Sequence, residues 1–177
     1  MSQFSKSSKY ARLSVRQGIQ RFGESAINAV LSEFGQLNDR NIFDPKYANE
    51  LTPKQHRDAL NLITLVKEKR CRKIKGRACA DVRKRRRYIR KEDLAPPTIQ
   101  LESLLLSLII DAFEKRDVAT ADVVGAYLMA SMEEFVLVKL TGDSVDIMCK
   151  VDDNYKNYVH YEKVKKVLYL RLVKVLY

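Results

Sequence analysis

Asp122 is the residue of this sequence best suited to chemistry, because it interrupts an otherwise apolar run. It stands in the segment Ala-Thr-Ala-Asp-Val-Val, residues 119–124. An unpaired carboxylate is costly to bury, so a cation, a metal ion or a proton should offset it. The alternative is an aspartate at a strand end that faces solvent or caps the next turn. The residues alone leave both interpretations open.

The formal net charge of +11 is concentrated in a short part of the chain. Residues 67–91 contain fourteen basic residues against Glu68 and Asp81, so this window carries +12 and the rest of the chain −1. Such a block predicts a polyanionic partner, because each neutralised phosphate releases condensed counterions. The alternatives are a solvated charged face and, at residues 83–87, a nuclear-import tract.

Hydrophobic periodicity predicts an alternation of helices and strands, typical of an α+β or α/β fold. Helices are predicted from Glu24 with Ser25 as the cap, from Pro53, over 99–115 with Thr98 as the cap, and over 144–158. Strands are predicted over 60–69 and 74–80, joined as a β-hairpin, and over 118–124, 135–140 and 167–175. Residues 38–53 are predicted to be a loop, and the apolar helix 99–115 to be mostly buried.

The remaining composition excludes several classes of protein. The sequence has no apolar run long enough for a membrane span, and its first ten residues lack the apolar region of a secretory signal. Three widely spaced cysteines form neither a disulfide framework nor a zinc pattern. His56 and His160 have no spacing partner that would indicate a metal site or a triad. We therefore expect an intracellular protein, in the cytoplasm or the nucleus, with no membrane partner.

Four motifs together resemble the reverse transcriptases of copia-type retrotransposons. Residues 122–128, Asp-Val-Val-Gly-Ala-Tyr-Leu, resemble the first catalytic motif of that family, usually Asp-Val-x-x-Ala-Phe-Leu. Residues 75–80 are similar to its Lys-x-Arg-Leu-Val-Ala segment, and residues 95–103 to its Ala-Pro and Glu-Ser stretch. Residues 172–177 are similar to its Leu-x-Lys-Ala-Leu-Tyr motif. The motifs occur in the family's order, and the resemblance covers about residues 24–177.

The resemblance implies nucleotidyl transfer with two Mg²⁺ ions, acting on a deoxynucleotide and an RNA or DNA primer–template. Asp122 would be catalytic and bind Mg²⁺, with the carbonyl of Val123 as a further ligand. Arg77 and Lys75 would reach the incoming triphosphate, since a guanidinium forks onto phosphate oxygens. Tyr127 would stack under the sugar, unless it is an ordinary core aromatic. The primer–template would contact a basic block consisting of Arg83, Lys84, Arg85, Arg86, Arg87, Arg90 and Lys91.

The sequence departs from the family at the second pair of metal carboxylates. The family carries that pair in a Tyr-x-Asp-Asp turn between apolar strands, after its Leu-Tyr motif. Asp152 and Asp153 precede that motif without flanking apolar strands, so we expect surface acids at a helix boundary. The missing pair would lie beyond Tyr177.

The chain is accordingly interpreted as a basic flexible lead-in, 1–22, followed by a truncated reverse transcriptase domain, 23–177. This domain would be α+β, with a fingers β-hairpin, a buried helix and an incomplete antiparallel palm sheet. We expect it to be inactive alone. The alternatives are a non-catalytic nucleic-acid-binding remnant of a transposon polyprotein and an unrelated basic interaction protein. The sequence contains no signal for an oligomeric state.

Overall fold

A computed structural model of the chain describes residues 12–81, 83, 99–121 and 126–176, which form an α+β fold with a mixed sheet. The chain divides into two compact units. One, the sheet unit, comprises residues 1–81 and 127–177, and the other comprises residues 82–126. The expected fold class is therefore confirmed at the level of α+β.

The sheet unit contains four helices and seven strands within the described residues. Its helices are α1 (Val15–Phe22), α2 (Glu24–Asp39), α3 (Pro53–Asp58) and α5 (Asp143–Val151). Its strands are β1 (Leu13–Ser14), β2 (Phe43–Lys46), β3 (Leu60–Glu68), β4 (Ile74–Ala80), β5 (Ser131–Thr141), β6 (His160–Glu162) and β7 (Lys165–Lys174). The second unit contains α4 (Leu101–Phe113).

The sheet has the strand order β1-β3-β5-β7-β2, with β4 paired to β3 and β6 paired to β7. All of these pairs are antiparallel except β3 with β5, which run parallel over Leu60↔Val138 and Asn61↔Lys139. The sheet is therefore mixed, where the sequence had suggested an antiparallel one. The short parallel pairing fixes the base of the β3–β4 hairpin to the central strands.

Both faces of the central strands are covered. Leu168, Leu170 and Leu172 of β7 belong to one core with Val30 and Phe34 of α2. On the opposite face, Tyr169 and Val167 form a smaller cluster with Ala59, which follows α3. Each buried aliphatic or aromatic side chain contributes about 1.5–3 kcal/mol, so β7, buried on both faces, anchors the fold.

Two helices begin at capping boxes, which fix their first residues. The Thr52 hydroxyl accepts from the Gln55 amide while the Gln55 side chain accepts from the Thr52 amide, so α3 starts at Pro53 as predicted. Ser14 and Gln17 form the same box before α1. Residues 13–22 therefore form β1 and α1, and Val15 is buried in the main core. For these residues, the expectation of a flexible lead-in was wrong.

Several other boundaries differ from the predicted ones. Residues 43–46 form an edge strand inside the predicted loop; Pro45 is tolerated there because β2 pairs with β7 alone. Gly23, with φ of 56°, precedes α2 in place of the expected cap at Ser25. The predicted helix 144–158 divides into α5 and a 3-10 segment, Asp153–Tyr158. Residues 118–121 lie in no strand, and the rest of the predicted strand at 122–124 lies outside the described residues.

Helix α4 contains no buried residue, contrary to the prediction that it would be mostly buried. Leu101 and Ile109 are each 65% exposed. A helix that is apolar around its circumference needs neighbours on several sides, and the described residues of its own unit form no second α-helix or strand. None of the helices in the described part of the chain combines the length and hydrophobicity needed to cross a membrane.

Gly76 allows β4 to approach α2 closely, and this contact can be tested by substitution. A Cβ atom at position 76 would lie 2.6 Å from the carbonyl oxygen of Ala29 and 3.1 Å from the Cα of Val30. We expect Gly76→Ala to lower the free energy of unfolding by about 1–3 kcal/mol, because strand or helix must shift. Gly35→Ala in α2 is the control, since a Cβ there meets nothing within 4 Å. The control should raise stability by about 0.5–1 kcal/mol in urea titrations. Equal stability of the two variants would contradict the close approach.

Candidate nucleic-acid interface

The β3–β4 hairpin has one buried face and one basic face. Its register pairs Val66 with Gly76 and Thr64 with Ala78, and the side chains of this face point into the main core. Because side chains alternate along a strand, the residues between them point to the opposite face. That outer face carries Leu65 and Lys67 on β3 and Lys75, Arg77 and Cys79 on β4.

A three-residue turn closes the hairpin. The amide of Lys69 donates to the carbonyl of Lys73 at 2.9 Å, and the amide of Arg72 donates to the carbonyl of Lys69 at 2.9 Å. Arg72 has φ of 61°, which is the left-handed region that glycine or asparagine adopts most easily. The turn therefore presents a cluster of basic side chains, one of them in an unfavourable backbone conformation.

A groove of about 900 Å³ follows the outer face of the hairpin; we call it the hairpin groove. Leu65 contributes apolar surface, and Glu68 is the acidic side chain among the described residues that line it. The basic residues lining the groove are Arg12, Lys67, Lys69, Arg70, Lys75 and Arg77. Its chemistry therefore suits a ligand with several negative charges and some apolar surface.

Lys67 and Lys75 lie directly opposite one another across the two strands. Like charges at a cross-strand pair destabilise a sheet by a few tenths of a kcal/mol to about 1 kcal/mol. An anionic ligand would remove this repulsion. The like-charge pair contributes nothing favourable to the stability of the fold itself. The pair is therefore the most specific electrostatic feature of the groove.

The structure brings together two of the predicted site residues. Lys75 and Arg77 both line the hairpin groove, and Arg77 is exposed. Tyr127 lies in the 3-10 turn Ala126–Met129. Arg83 is exposed but belongs to the other unit. The other predicted site residues lie outside the described residues: Asp122, Val123, Lys84, Arg85, Arg86, Arg87, Arg90 and Lys91.

Asp152 and Asp153 have local structural roles, as the sequence predicted. Asp152 ends α5 and accepts a hydrogen bond from the amide of Asn154 at 2.8 Å. Asp153 forms a salt bridge of 2.6 Å with Lys156. Among the residues that the structure describes, no three His, Cys, Asp or Glu side chains converge as a metal site. Both carboxylates therefore make local contacts, and the two do not form a metal-binding pair.

Sequence reasoning missed a partly buried polar network on the other side of the sheet. The Tyr169 hydroxyl donates to Glu162 at 2.5 Å and lies 3.0 Å from His56 Nδ1. His56 Nε2 lies 3.0 Å from the carbonyl of Ala48, and Lys139 donates to Glu162 at 2.5 Å. The bond from Lys139, followed by that from Tyr169, lowers the pKa of Glu162, and burial raises the pKa of Tyr169. No spacing in the sequence indicates this network, because its members are far apart in the chain.

This network connects α3 and the preceding turn to three strands, which favours a structural role. His56 and Tyr169 also make an edge-to-face contact with ring centroids 5.0 Å apart. These contacts give His56 a structural role. They leave the basic hairpin as the better candidate for a binding site.

Comparisons with protein-family models, with curated proteins and with solved structures find no match for this chain. The four sequence motifs and the geometry of the hairpin are therefore what indicates a function. Of these motifs, the one at residues 75–80 lies on β4 and supplies two of the cations in the hairpin groove.

Replacing Tyr169 tests the structural role of the polar network. Tyr169→Phe removes a hydroxyl that serves both His56 and Glu162, so partly buried polar atoms lose partners. We expect the free energy of unfolding to fall by about 1–3 kcal/mol. Tyr161→Phe is the matched control, because Tyr161 is 60% exposed; it should change stability by less than about 0.5 kcal/mol. Equal urea midpoints for the two variants would contradict this role.

Proposed function

We propose that this chain is the fingers and first part of the palm of a copia-type retrotransposon reverse transcriptase. Its own role is to bind the phosphates of a primer–template and an incoming deoxynucleotide through the β3–β4 hairpin. The observation that carries the proposal is the convergence of Lys75 and Arg77, from one family-like motif, in a groove lined by four further cations. Phosphate is the ligand that best matches this set of side chains.

The two cations contribute differently to phosphate binding. Arg77 presents a planar guanidinium that can form two parallel hydrogen bonds to one phosphate. Lys75 acts as a point charge, and its repulsion from Lys67 is relieved when an anion lies between them. Apolar surface from Leu65 offers a place for a base or sugar beside the charged groups. Together these features support a nucleotide or a nucleic-acid strand over a small inorganic anion.

The catalytic part of the proposal depends on residues assigned from the resemblance. Asp122, with the carbonyl of Val123, is proposed to hold Mg²⁺, which prefers hard oxygen ligands. Tyr127 is proposed to lie under the sugar of the nucleotide. A single aspartate cannot hold the two ions that phosphoryl transfer requires, so we expect this polypeptide to bind without polymerising.

The second candidate is a non-catalytic nucleic-acid-binding remnant of a transposon polyprotein. The specific observation in its favour is that Asp152 and Asp153 serve a helix end and a local salt bridge. Such a remnant would keep the cationic hairpin and its affinity for phosphate. It would differ from the first candidate in holding no Mg²⁺ at Asp122.

Binding should depend on the hairpin groove and on salt. We expect Lys75→Gln and Arg77→Gln each to weaken binding to a primer–template at every sequence tested. Each should also lower the slope of log affinity against log salt by about 1, because one phosphate contact is lost. Fluorescence anisotropy over a salt series measures both quantities. Lys54→Gln on α3 is the control for net charge, because Lys54 is exposed and lies outside the groove. An equal effect of this control would indicate attraction to net charge alone.

Primer extension tests the expected lack of turnover. With Mg²⁺, deoxynucleotides and a primed template, we expect no incorporation by this chain, and no difference between it and Asp122→Asn. Denaturing gel analysis of a labelled primer provides the measurement. Incorporation that disappears in Asp122→Asn would contradict the predicted inactivity and would also eliminate the non-catalytic remnant.

A further inference from the structure

A second groove, of about 590 Å³, lies on the other side of the hairpin turn, between that turn and α2. We call it the α2 groove. Ser25, Asn28, Ser32 and Gln36 line it, and all four are exposed. Their spacing of three or four residues places them on one face of the helix. This face therefore presents a row of neutral hydrogen-bonding side chains along the groove.

The wall facing this row is basic. It is formed by the hairpin turn and the start of β4, with Lys69, Arg72, Lys73 and Lys75. Glu33 is the acidic residue among the described residues of the lining, and it is only 9% exposed, with its Oε1 accepting from the amide of Ala78 at 3.3 Å. The acid is thus committed to the hairpin backbone, and the open groove combines four cations with neutral polar groups.

Arg72 is one of four non-glycine residues with a positive φ among the described residues, and it is the one of the four that lines this groove. Its left-handed φ of 61° is unfavourable for a long side chain, and glycine or asparagine would close the same turn with less strain. Residues in such conformations are found preferentially at ligand-binding and active sites, which makes Arg72 a position to test. Arg72 lines the α2 groove, so its guanidinium is in place for a ligand there.

We infer that the α2 groove binds the sugar–phosphate backbone of a single nucleic-acid strand that also occupies the hairpin groove. Serine, asparagine, glutamine, lysine and arginine are the side chains that contact phosphate and sugar without reading sequence. The two grooves share Lys69 and Lys75, so one strand can pass from one to the other around the turn. A duplex is too stiff to bend around a two-stranded hairpin, whereas a single strand follows such grooves readily. This inference rests on the proposed function for the first groove and adds a second surface.

The decisive experiment compares two variants of equal charge. Gln36→Glu places a negative charge in the α2 groove, and Gln20→Glu places the same charge on the exposed part of α1, outside both grooves. Binding of fluorescent oligothymidylates from about 4 to about 16 nucleotides is measured by anisotropy. We expect Gln36→Glu to weaken binding of the longest oligonucleotides roughly three- to tenfold, with little effect on the shortest. Gln20→Glu should match the unmodified chain at every length.

Arg72→Asn provides a second variant that cannot be explained by unfolding. Asparagine tolerates the left-handed conformation, so the melting temperature should stay the same or rise. Affinity for the longest oligonucleotides should nevertheless fall, and the salt slope should decrease by about 0.7, as for one lost contact to a single strand. A lower melting temperature together with unchanged affinity would overturn the role given to Arg72.

The outcomes separate this inference from the proposed function. If Arg77→Gln weakens binding while Gln36→Glu and Gln20→Glu behave alike, the hairpin groove stands and the α2 groove inference fails. Equal affinity for a blunt duplex and a long single strand would overturn the choice of a single strand. If no oligonucleotide binds with dependence on Arg77, the proposed function fails, and this inference fails with it.

Discussion

The packing of the β3–β4 hairpin against α2 is the contact on which the basic surface depends. Gly76 brings β4 close to the backbone of α2, while Val66 and Ala78 are buried in the same core. Once these positions point inward, the alternation of a strand sends Lys67, Lys75 and Arg77 outward. A shift of one residue in register would bury the three cations, at a cost far greater than any packing gain. The core thus fixes which face of the hairpin carries the charges.

The same arrangement gives the hairpin two different sides for a ligand. Its outer face is strand surface, with cations two residues apart and apolar groups between them. The side next to α2 is bounded by a helix, whose neutral polar row complements the basic turn. Because Lys69 of the turn and Lys75 of β4 line both grooves, charge is continuous around the hairpin. Such continuity favours an extended polyanion over a compact ligand that fills one cavity.

Local sequence signals predicted the elements whose pattern is complete within a few residues. The hairpin was predicted within one residue of its strands, because two apolar-bearing runs flank a short charged turn, and α3 was predicted from Thr52-Pro53. Strand β7 was evident from its run of β-branched and aliphatic residues. The candidate site residues Lys75 and Arg77 were identified from a motif, and their meeting in one groove follows from their being two apart on a strand.

Features set by distant contacts could not be predicted. The strand β2 contains Pro45 and exists because β7 offers it an edge, and β1 depends in the same way on β3. The apolar periodicity of α4 identified a helix but could not say which surface would cover it, so the prediction of burial was wrong. The network around Tyr169 joins residues from α3, β5 and β6 that share no pattern in the sequence. In each case the missing information is a partner far away in the chain.

Two departures from local stability rules meet at the hairpin, and together with its basic grooves they are the physical reason to place function there. The caps of α1 and α3 satisfy the expected rules, with reciprocal hydrogen bonds at Ser14 and Thr52. The hairpin instead holds like charges opposite one another and an arginine in a left-handed conformation. Both costs are local, independent and removable by a single substitution, so selection for stability alone would have little reason to keep them. The proposed polyanion, bound around the turn, would offset the first cost and use the side chain responsible for the second.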